Sequence, residues 1–532
     1  MAAVVYAKNK RNGVTYVYES TNYWDKEKKQ SRSKRVCIGK LDPDTNEIIY
    51  SKRLTVQAAP VMKPGPVPIL EIKHHYYGAT YLFDAIGEKL GITEDLRKCF
   101  PDTYKKILSV AYYLILEDNN PLCRFKKWSA THKHPYGKDI PSQRSSDLFA
   151  SITESEREHF FRLQGRRRVE NEYWAYDITT LSTWSNCLKQ ARYGCNKEND
   201  QMEQINLALL FGEQSALPFY YRKLPGNISD VKTVKNLLAD LDFFEYKKIK
   251  LVMDRGFYSE ENINSLFENH LKFLISVKLS LKYVKTELNK VRDEIGNWDH
   301  YNPNLNLYIS TSTITWNYSQ QRPYKGDTIE GERRVYLHLY FDKERETLEA
   351  HKFNLLLLSL KEELESGKTV PEHEKQYAKY FNVSETPKRG VKVVPKQEAI
   401  DEAVKNHGYF ALLTNEIKDP VEALFTYRSK DLVEKAFGNL KERLNFRRME
   451  VSSELSLDGK LFTEFVALIY LSYLKKMMQE KNLFQKYTLQ GLLDELDIID
   501  CYEQPGYALR FGEITKRQVE LYEVLGAKPP TT

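Results

Sequence analysis

The sequence predicts a multidomain α/β protein. Three observations predict it: strands and helices alternate between residues 173 and 277, the front of the chain reads as a small basic sheet, and a helical run lies between the two. At roughly 100–200 residues per domain, a chain of 532 makes three or more folding units. A hydrophobic share of 41% against 29% charged suits a chain that folds rather than one that stays disordered. The formal net charge of +7 is a mild bias toward acidic partners.

That charge is unevenly spread. Residues 1–53 hold twelve lysines and arginines against six acids, so the positive excess gathers at one end. Short apolar and aromatic runs at 14–18, 35–38 and 48–50 read as strands, with Gly13 and Asp42-Pro43-Asp44 turning the chain. Pro60, Pro64, Pro66 and Pro68 then mark an extended linker. Between 77 and 165, Leu82, Ile86 and Leu90, then Ile107, Ala111 and Leu114, recur at helical spacing. Ser142 is placed to cap one helix, and Thr153 with Glu156 to form a capping box for the next. Two short helices joined by a tight turn suit a helix-turn-helix, and an ordinary helical bundle fits the same pattern.

The stretch from 173 onward carries the fold. Trp174, Tyr176 and Ile178 share one face of a strand and Asp177 points to the other. Residues 204–212 and 217–224 are two more strands, and Ser229 precedes a helix over 231–241. Residues 249–253 form a strand that ends at Asp254, Ser259 caps a further helix, and 273–277 is the next strand. Three strands, helix, strand, helix, strand is the order of the ribonuclease H-like core, a mixed sheet flanked by helices. From 279 to 405 the pattern gives way to polar, aromatic-rich strand runs and a charged helical piece, which reads as an insertion. A strand over 409–413 and a long helix from about Pro420 resume the core. The expected organisation is a basic β domain that binds DNA (1–60), a linker (61–76), a helical DNA-binding domain (77–168), a first half-core (169–278), a β-rich insertion (279–405), a second half-core (406–475) and a C-terminal helical region (476–532).

Several classes are disfavoured. No pair of the six cysteines has C-x-x-C spacing, which argues against a structural zinc site, and scattered thiols in a long chain suit a reducing cytosol. The N-terminus lacks an apolar signal core, and the longest apolar stretch, 461–474, contains Glu464 and is too short to span a bilayer. No membrane partner is expected. That stretch reads as a buried helix or a subunit contact. The paired histidines His74-His75 and His132-x-His134 lack the cysteine or acid partners of a metal site.

The candidate chemistry lies in three acids. Asp177 and Asp254 stand at or near strand positions of the proposed sheet. Phosphodiester chemistry uses such pairs because two Mg²⁺ ions held about 3.5–4 Å apart activate the attacking oxygen and stabilise the leaving one. Mg²⁺ takes carboxylate and water ligands, so a few acids suffice. The third acid lies in the segment TYRSKDLVEKAFGNLKE, residues 426–442. On a continuous helix, Val433, Phe437, Leu440 and Leu444 form an apolar stripe, and Tyr427, Lys430, Glu434, Gly438 and Lys441 form a second stripe beside it. Gly438 lowers helix propensity by about 1 kcal/mol against alanine, which points to something approaching the helix closely.

Tyr427-x2-Lys430-x3-Glu434-x6-Lys441 resembles the tyrosine–arginine–glutamate–lysine signature of bacterial insertion-sequence DDE transposases. Asp177 in YDITTLS and Asp254 in VMDRGFYSEENI resemble that group's first two catalytic aspartates, and the long insertion before the glutamate helix is similar too. The chain departs from the signature at Lys430, where the group has arginine; lysine keeps the charge but cannot grip a phosphate in a bidentate way. The resemblance implies an enzyme in which Asp177, Asp254 and Glu434 hold two Mg²⁺ ions, with Mn²⁺ able to substitute. It implies cleavage at element ends, a hairpin intermediate and strand transfer into target DNA. Tyr427, Lys430, Lys441, Arg255, Arg428 and Trp298 are then expected to contact DNA, Trp298 by stacking a flipped base, because it sits in a polar turn while Trp316 alternates with Ile314 and Tyr318. The implied partners are double-stranded terminal inverted repeats and target DNA, bound by a homodimer in the cytoplasm, at the nucleoid. Two other readings share these features: a ribonuclease H-like nuclease with another task, and a catalytically inactive, domesticated DNA-binding protein.

Overall fold

The computed structural model describes residues 2–25, 30–43, 46–50, 72–118, 120–168, 172–185, 187–194, 202–244, 249–321, 328–386, 390–444, 448–449, 451 and 453–531. The linker prolines, Asp44 and Cys195 lie outside them. By its contacts the chain divides into two units, residues 1–73 with 503–509, and residues 74–502 with 510–532.

The first unit is built on a four-stranded antiparallel sheet, with Ala2–Lys8, Thr15–Asp25, Gln30–Leu41 and Ile48–Tyr50 adjacent in chain order. The sequence predicts the last three strands. The first, AAVVYAK, lacks the polar alternation that marks a half-buried strand and pairs along its whole length with Thr15–Thr21. Gly39 is required where it stands: a Cβ there would overlap the Ile49 carbonyl oxygen of the neighbouring strand.

The second unit is organised around a ten-stranded mixed sheet. Across it run Tyr301–Asn302, Leu307–Gln321, Thr328–Phe341, Tyr409–Thr414, Lys272–Val277, Lys250–Met253, Tyr173–Thr183, Glu203–Gly212 and Pro218–Pro225, with Arg448–Met449 beside Tyr173–Thr183. Lys250–Met253 is parallel to both of its neighbours, and the three-strand run Tyr173–Thr183, Glu203–Gly212, Pro218–Pro225 is antiparallel. Tyr173–Thr183 is buried at every position except Asp177, as a central strand covered on both faces must be. A one-sided alternation is therefore the wrong pattern for this strand, although it locates Asp177 correctly as the position that differs. Ser259 caps Glu260–Glu268 by accepting the Asn262 N–H, and Thr153 with Glu156 forms the expected capping box before Glu154–Arg168.

Two expected boundaries change. The long strands of 279–405 do not form a sheet of their own; Thr328–Phe341 pairs with Tyr409–Thr414 and extends the main sheet. The rest of that segment is largely helical, Lys343–Ser366, Glu374–Tyr380 and Gln397–Val404 with one hairpin, around a small core of Leu360, Leu364, Tyr377, Tyr380 and Phe381. A strand pattern does not say which edge it will join; an unpaired row of N–H and C=O groups on an existing sheet decides that. The helices of 77–168 likewise do not close a separate core. Their buried residues share one apolar core with the sheet and with the helix Glu454–Glu480.

Glu454–Glu480 starts at Ser453, whose side chain accepts the Ser456 N–H, and its middle is buried on all sides, as expected of an apolar helix inside a large protein. Among the described residues, no helix is long and apolar enough to cross a membrane. Within it, Glu464 is fully buried, neither carboxylate oxygen has a hydrogen-bond partner, and the Lys460 ammonium is 3.9 Å away. Burial pushes its carboxyl up to about 8, against the pull of Lys460. The folded state thus keeps a proton that the unfolded chain has released, so this residue makes stability fall as pH rises from the unfolded value toward the folded one. Glu464→Gln should flatten that fall between about pH 5 and about pH 8. Denaturant midpoints measured across the range check it, and an unchanged slope would show that Glu464 does not titrate there.

His132 and His134 are structural. His132 Nε2 bonds Asp497 at 2.9 Å and His134 Nδ1 bonds Ser109 at 2.9 Å, each inside the helical packing.

Candidate active site

Two strands present the first pair of acids at one level. In the parallel pairing, Tyr176 lies opposite Met253, so Asp177 and Asp254 are the next residue on each strand. Lys250–Met253 ends there, and Asp254 caps a short 3₁₀ turn, Arg255–Phe257, with its Oδ1 accepting the Arg255 N–H at 2.8 Å. Asp177 is likewise fixed by its own backbone, its Oδ1 accepting the Ile178 N–H at 2.8 Å.

The third acid arrives on a broken helix. Asp419 caps Pro420–Arg428 by accepting the N–H groups of Val421 and Glu422, with Pro420 at the first helical position, where its missing N–H costs nothing. Ala423, Leu424 and Tyr427 pack on Tyr173, Val252, Leu274 and Leu412 of the sheet. The single long helix expected here does not form. At Ser429 and Lys430 the bonding tightens, with Lys430 N–H donating to Tyr427 and Val433 N–H to Lys430, and the Ser429 hydroxyl turns back to the Thr426 carbonyl. A second helix, Asp431–Gly438, then carries Glu434, and a π turn, Asn439–Arg443, carries Lys441. The two-stripe reading of 426–442 as one regular helix is corrected accordingly: the helix breaks at Ser429 and Lys430, and Lys441 follows Glu434 through a π turn rather than at regular α spacing. Gly438 has open space where a Cβ would stand.

The break brings a cation between the acids. Lys430 Nζ is 3.3 Å from Asp254 Oδ2 and 3.3 Å from Glu434 Oε1, and it stands over the Tyr427 ring, 5.6 Å from the centroid. The Tyr427 hydroxyl donates to Asp254 Oδ1 at 2.8 Å. Burial alone would raise the Asp254 carboxyl, but the Lys430 cation, the Tyr427 hydroxyl and the Arg255 N–H together hold it below the usual carboxylate range. Burial together with the Asp254 charge pushes the Tyr427 phenol up to about 12. Burial would lower the Lys430 ammonium, yet Tyr427, Asp254, Asp177 and Glu434 outweigh it and the group is raised above its ordinary value.

The structure therefore gathers Asp177, Asp254, Tyr427, Lys430 and Glu434. Arg428 and Trp298 lie outside the contacts that join Asp254, Tyr427, Lys430 and Glu434. The side chains of Arg255 and Arg428 are exposed and Lys441 is half-buried. Trp298 opens a short 3₁₀ turn and is 83% exposed, whereas Trp316 is buried and donates its indole N–H to Asn264. Sequence reasoning missed the inward role of Lys430, for which the i,i+4 spacing to Glu434 was the available signal.

Among the described residues, no three histidine, cysteine or acid side chains are gathered so as to hold a metal ion. The donors nonetheless suit one in kind: Asp177, Asp254 and Glu434 offer oxygens alone, the set that Mg²⁺ takes, and a cation, the Lys430 ammonium, already sits between two of them.

A mixed α/β sheet with one carboxylate within a central strand, a second just past the end of the adjacent parallel strand, and a glutamate meeting that second acid across a cation defines an acid-site protein of the α/β class. Residues 174–470, more than half of the chain, match the family model described as Transposase DDE domain, and the chain belongs to that family: it is a DDE transposase. No curated protein matches it. Among solved structures it is similar to a piggyBac transposase, seen by cryo-EM as a synaptic complex with hairpin DNA; the two are 11% identical, the likeness covers 84% of this chain and 74% of that one, and the TM-score is 0.34, too distant to bear on function.

Proposed function

We propose that this transposase cuts DNA at the ends of its element and joins those ends to target DNA, with Asp177, Asp254 and Glu434 as its three catalytic acids. The observation that carries the reading is the meeting of Asp254 and Glu434 on one cation, with Asp177 abreast of Asp254 on the next strand. The strand order Pro218–Pro225, Glu203–Gly212, Tyr173–Thr183, Lys250–Met253, Lys272–Val277 supports a ribonuclease H-like core split by residues 279–405. A pair of Mg²⁺ or Mn²⁺ ions, when bound to these oxygens, would supply the charge neutralisation that in-line phosphoryl displacement needs. The chain's own residues do the rest. Tyr427 orients the Asp254 carboxylate, and Arg255, Arg428 and Lys441 offer cations to the phosphate backbone. The basic front sheet, with Tyr6, Tyr23 and Trp24 exposed, and the helices of 77–168 would hold the terminal inverted repeats, and two copies of the chain would pair two ends.

The resemblance of the Tyr427–Lys441 segment supports a hairpin route, in which Trp298 stacks a flipped base. Flipping costs a few kcal/mol. Stacking on a ring returns about 1–3 kcal/mol. A labelled duplex carrying the element's end tests both readings with the full-length protein. It should be cut with Mg²⁺ and left whole with a chelator, and cutting in the chelator would remove metal from the mechanism. Trp298→Ala should preserve first-strand nicking and lower hairpin yield. An unchanged hairpin yield would exclude the stacking role, and equal loss of both steps would mean that Trp298 anchors its own loop.

A further inference from the structure

We infer that Lys430 is a positioning residue that occupies the space between the catalytic acids and competes with divalent metal for them. The inference rests on the proposed roles of Asp254 and Glu434. Lys430 stands between the end of the helix Pro420–Arg428 and the start of the helix Asp431–Gly438. It is held there by contacts from separate elements. Its Nζ is 3.3 Å from Asp254 Oδ2 at a strand end and 3.3 Å from Glu434 Oε1 one helical turn on, it stands over the Tyr427 ring, and only 14% of the side chain is exposed. The two carboxylates are thus spaced around an ammonium rather than around a smaller, doubly charged ion, and a divalent ion that used either oxygen would have to displace the nitrogen from it. A lysine suits this task better than an arginine. It is a point charge on a flexible stem, able to withdraw, whereas a guanidinium forms a fixed fork with a carboxylate.

An ordinary structural ion pair predicts something different. Its removal would leave two like-charged carboxylates without the cation between them and weaken the fold, with no gain at the metal. The two accounts separate on metal affinity, measured without DNA. Mn²⁺ alone is titrated into the full-length protein and followed by electron paramagnetic resonance of the free ion. Lys430→Met should bind Mn²⁺ at least roughly tenfold more tightly than the parent, because a positive charge has left the site. Lys430→Gln, the second neutral variant in case the first does not fold, should do the same, while Lys430→Arg, which keeps the charge, should stay near the parent. Affinity unchanged or weakened in a folded neutral variant overturns the competition. Asp254→Asn, run alongside, tests the underlying reading separately: if it leaves Mn²⁺ binding by Lys430→Met intact in the double variant, Asp254 is not a metal ligand, and that assignment fails rather than the measurement on Lys430.

Discussion

Asp177→Asn, Asp254→Asn and Glu434→Gln should each lower Mg²⁺-dependent cleavage of an element end by about 10³-fold or more, equivalent to about 4 kcal/mol of transition-state stabilisation, while end binding changes little. Each replacement removes one charged oxygen and keeps the side chain's volume. The environments differ, and so do the controls each variant needs. Glu434 is 59% exposed at its side chain and contacts only Lys430 among the ion pairs at the site, so Glu434→Gln should fold like the parent. Asp254 is half-buried and accepts from Tyr427, Lys430 and the Arg255 N–H, so part of its network is lost with the charge. Melting curves separate a damaged fold from a damaged site. Near-normal cutting by any one variant would strike that residue from the triad, cutting by all three would move the chemistry to other residues, and a parent protein that does not cut would return it to the DNA-binding reading.

Gly459→Ala should be a strongly damaging small change in the body of the fold, lowering stability by about 3 kcal/mol. Gly459 lies in the first turns of Glu454–Glu480, where the helix crosses Ser142–Ala150, and a Cβ on it would overlap the carbonyl oxygen, carbon and Cα of Phe149. These are backbone atoms near the end of a helix, so no side-chain rotation can clear them. The gain in helix propensity from glycine to alanine, about 1 kcal/mol, is too small to compensate. Denaturant unfolding of the two proteins measures the difference, and equal midpoints would mean that the helices can part at no cost.

Much of the site was legible because its markers are local. Asp254 follows the last residue of an apolar strand, a pattern readable in five residues. The helix break is different. Its signals, Ser429 returning to Thr426 and i→i+3 bonding at Lys430, leave the apolar periodicity of Val433, Phe437 and Leu440 intact, so a single long helix fits the sequence equally well. The insertion misleads for a related reason. Leu307–Gln321 and Thr328–Phe341 read as strand runs, but a strand pattern carries no mark of its partners or of the sheet it will join.

By itself the sequence determined the strands that carry Asp177 and lead to Asp254, the caps at Thr153 and Ser259 though not the one expected of Ser142, that Asp177 is the odd position in its strand, and that Trp298 is exposed while Trp316 is buried. Each follows from neighbours within a few residues, whose backbone and side-chain preferences act locally. Only the tertiary structure decided that the helices of 77–168 and the strands of 307–341 share the core and sheet of the second unit, and that Lys430 turns inward. Those outcomes depend on partners far along the chain. Tyr427 and Asp254 are 173 residues apart, and the place of the ammonium is set by the balance of its desolvation against carboxylates that only folding brings together.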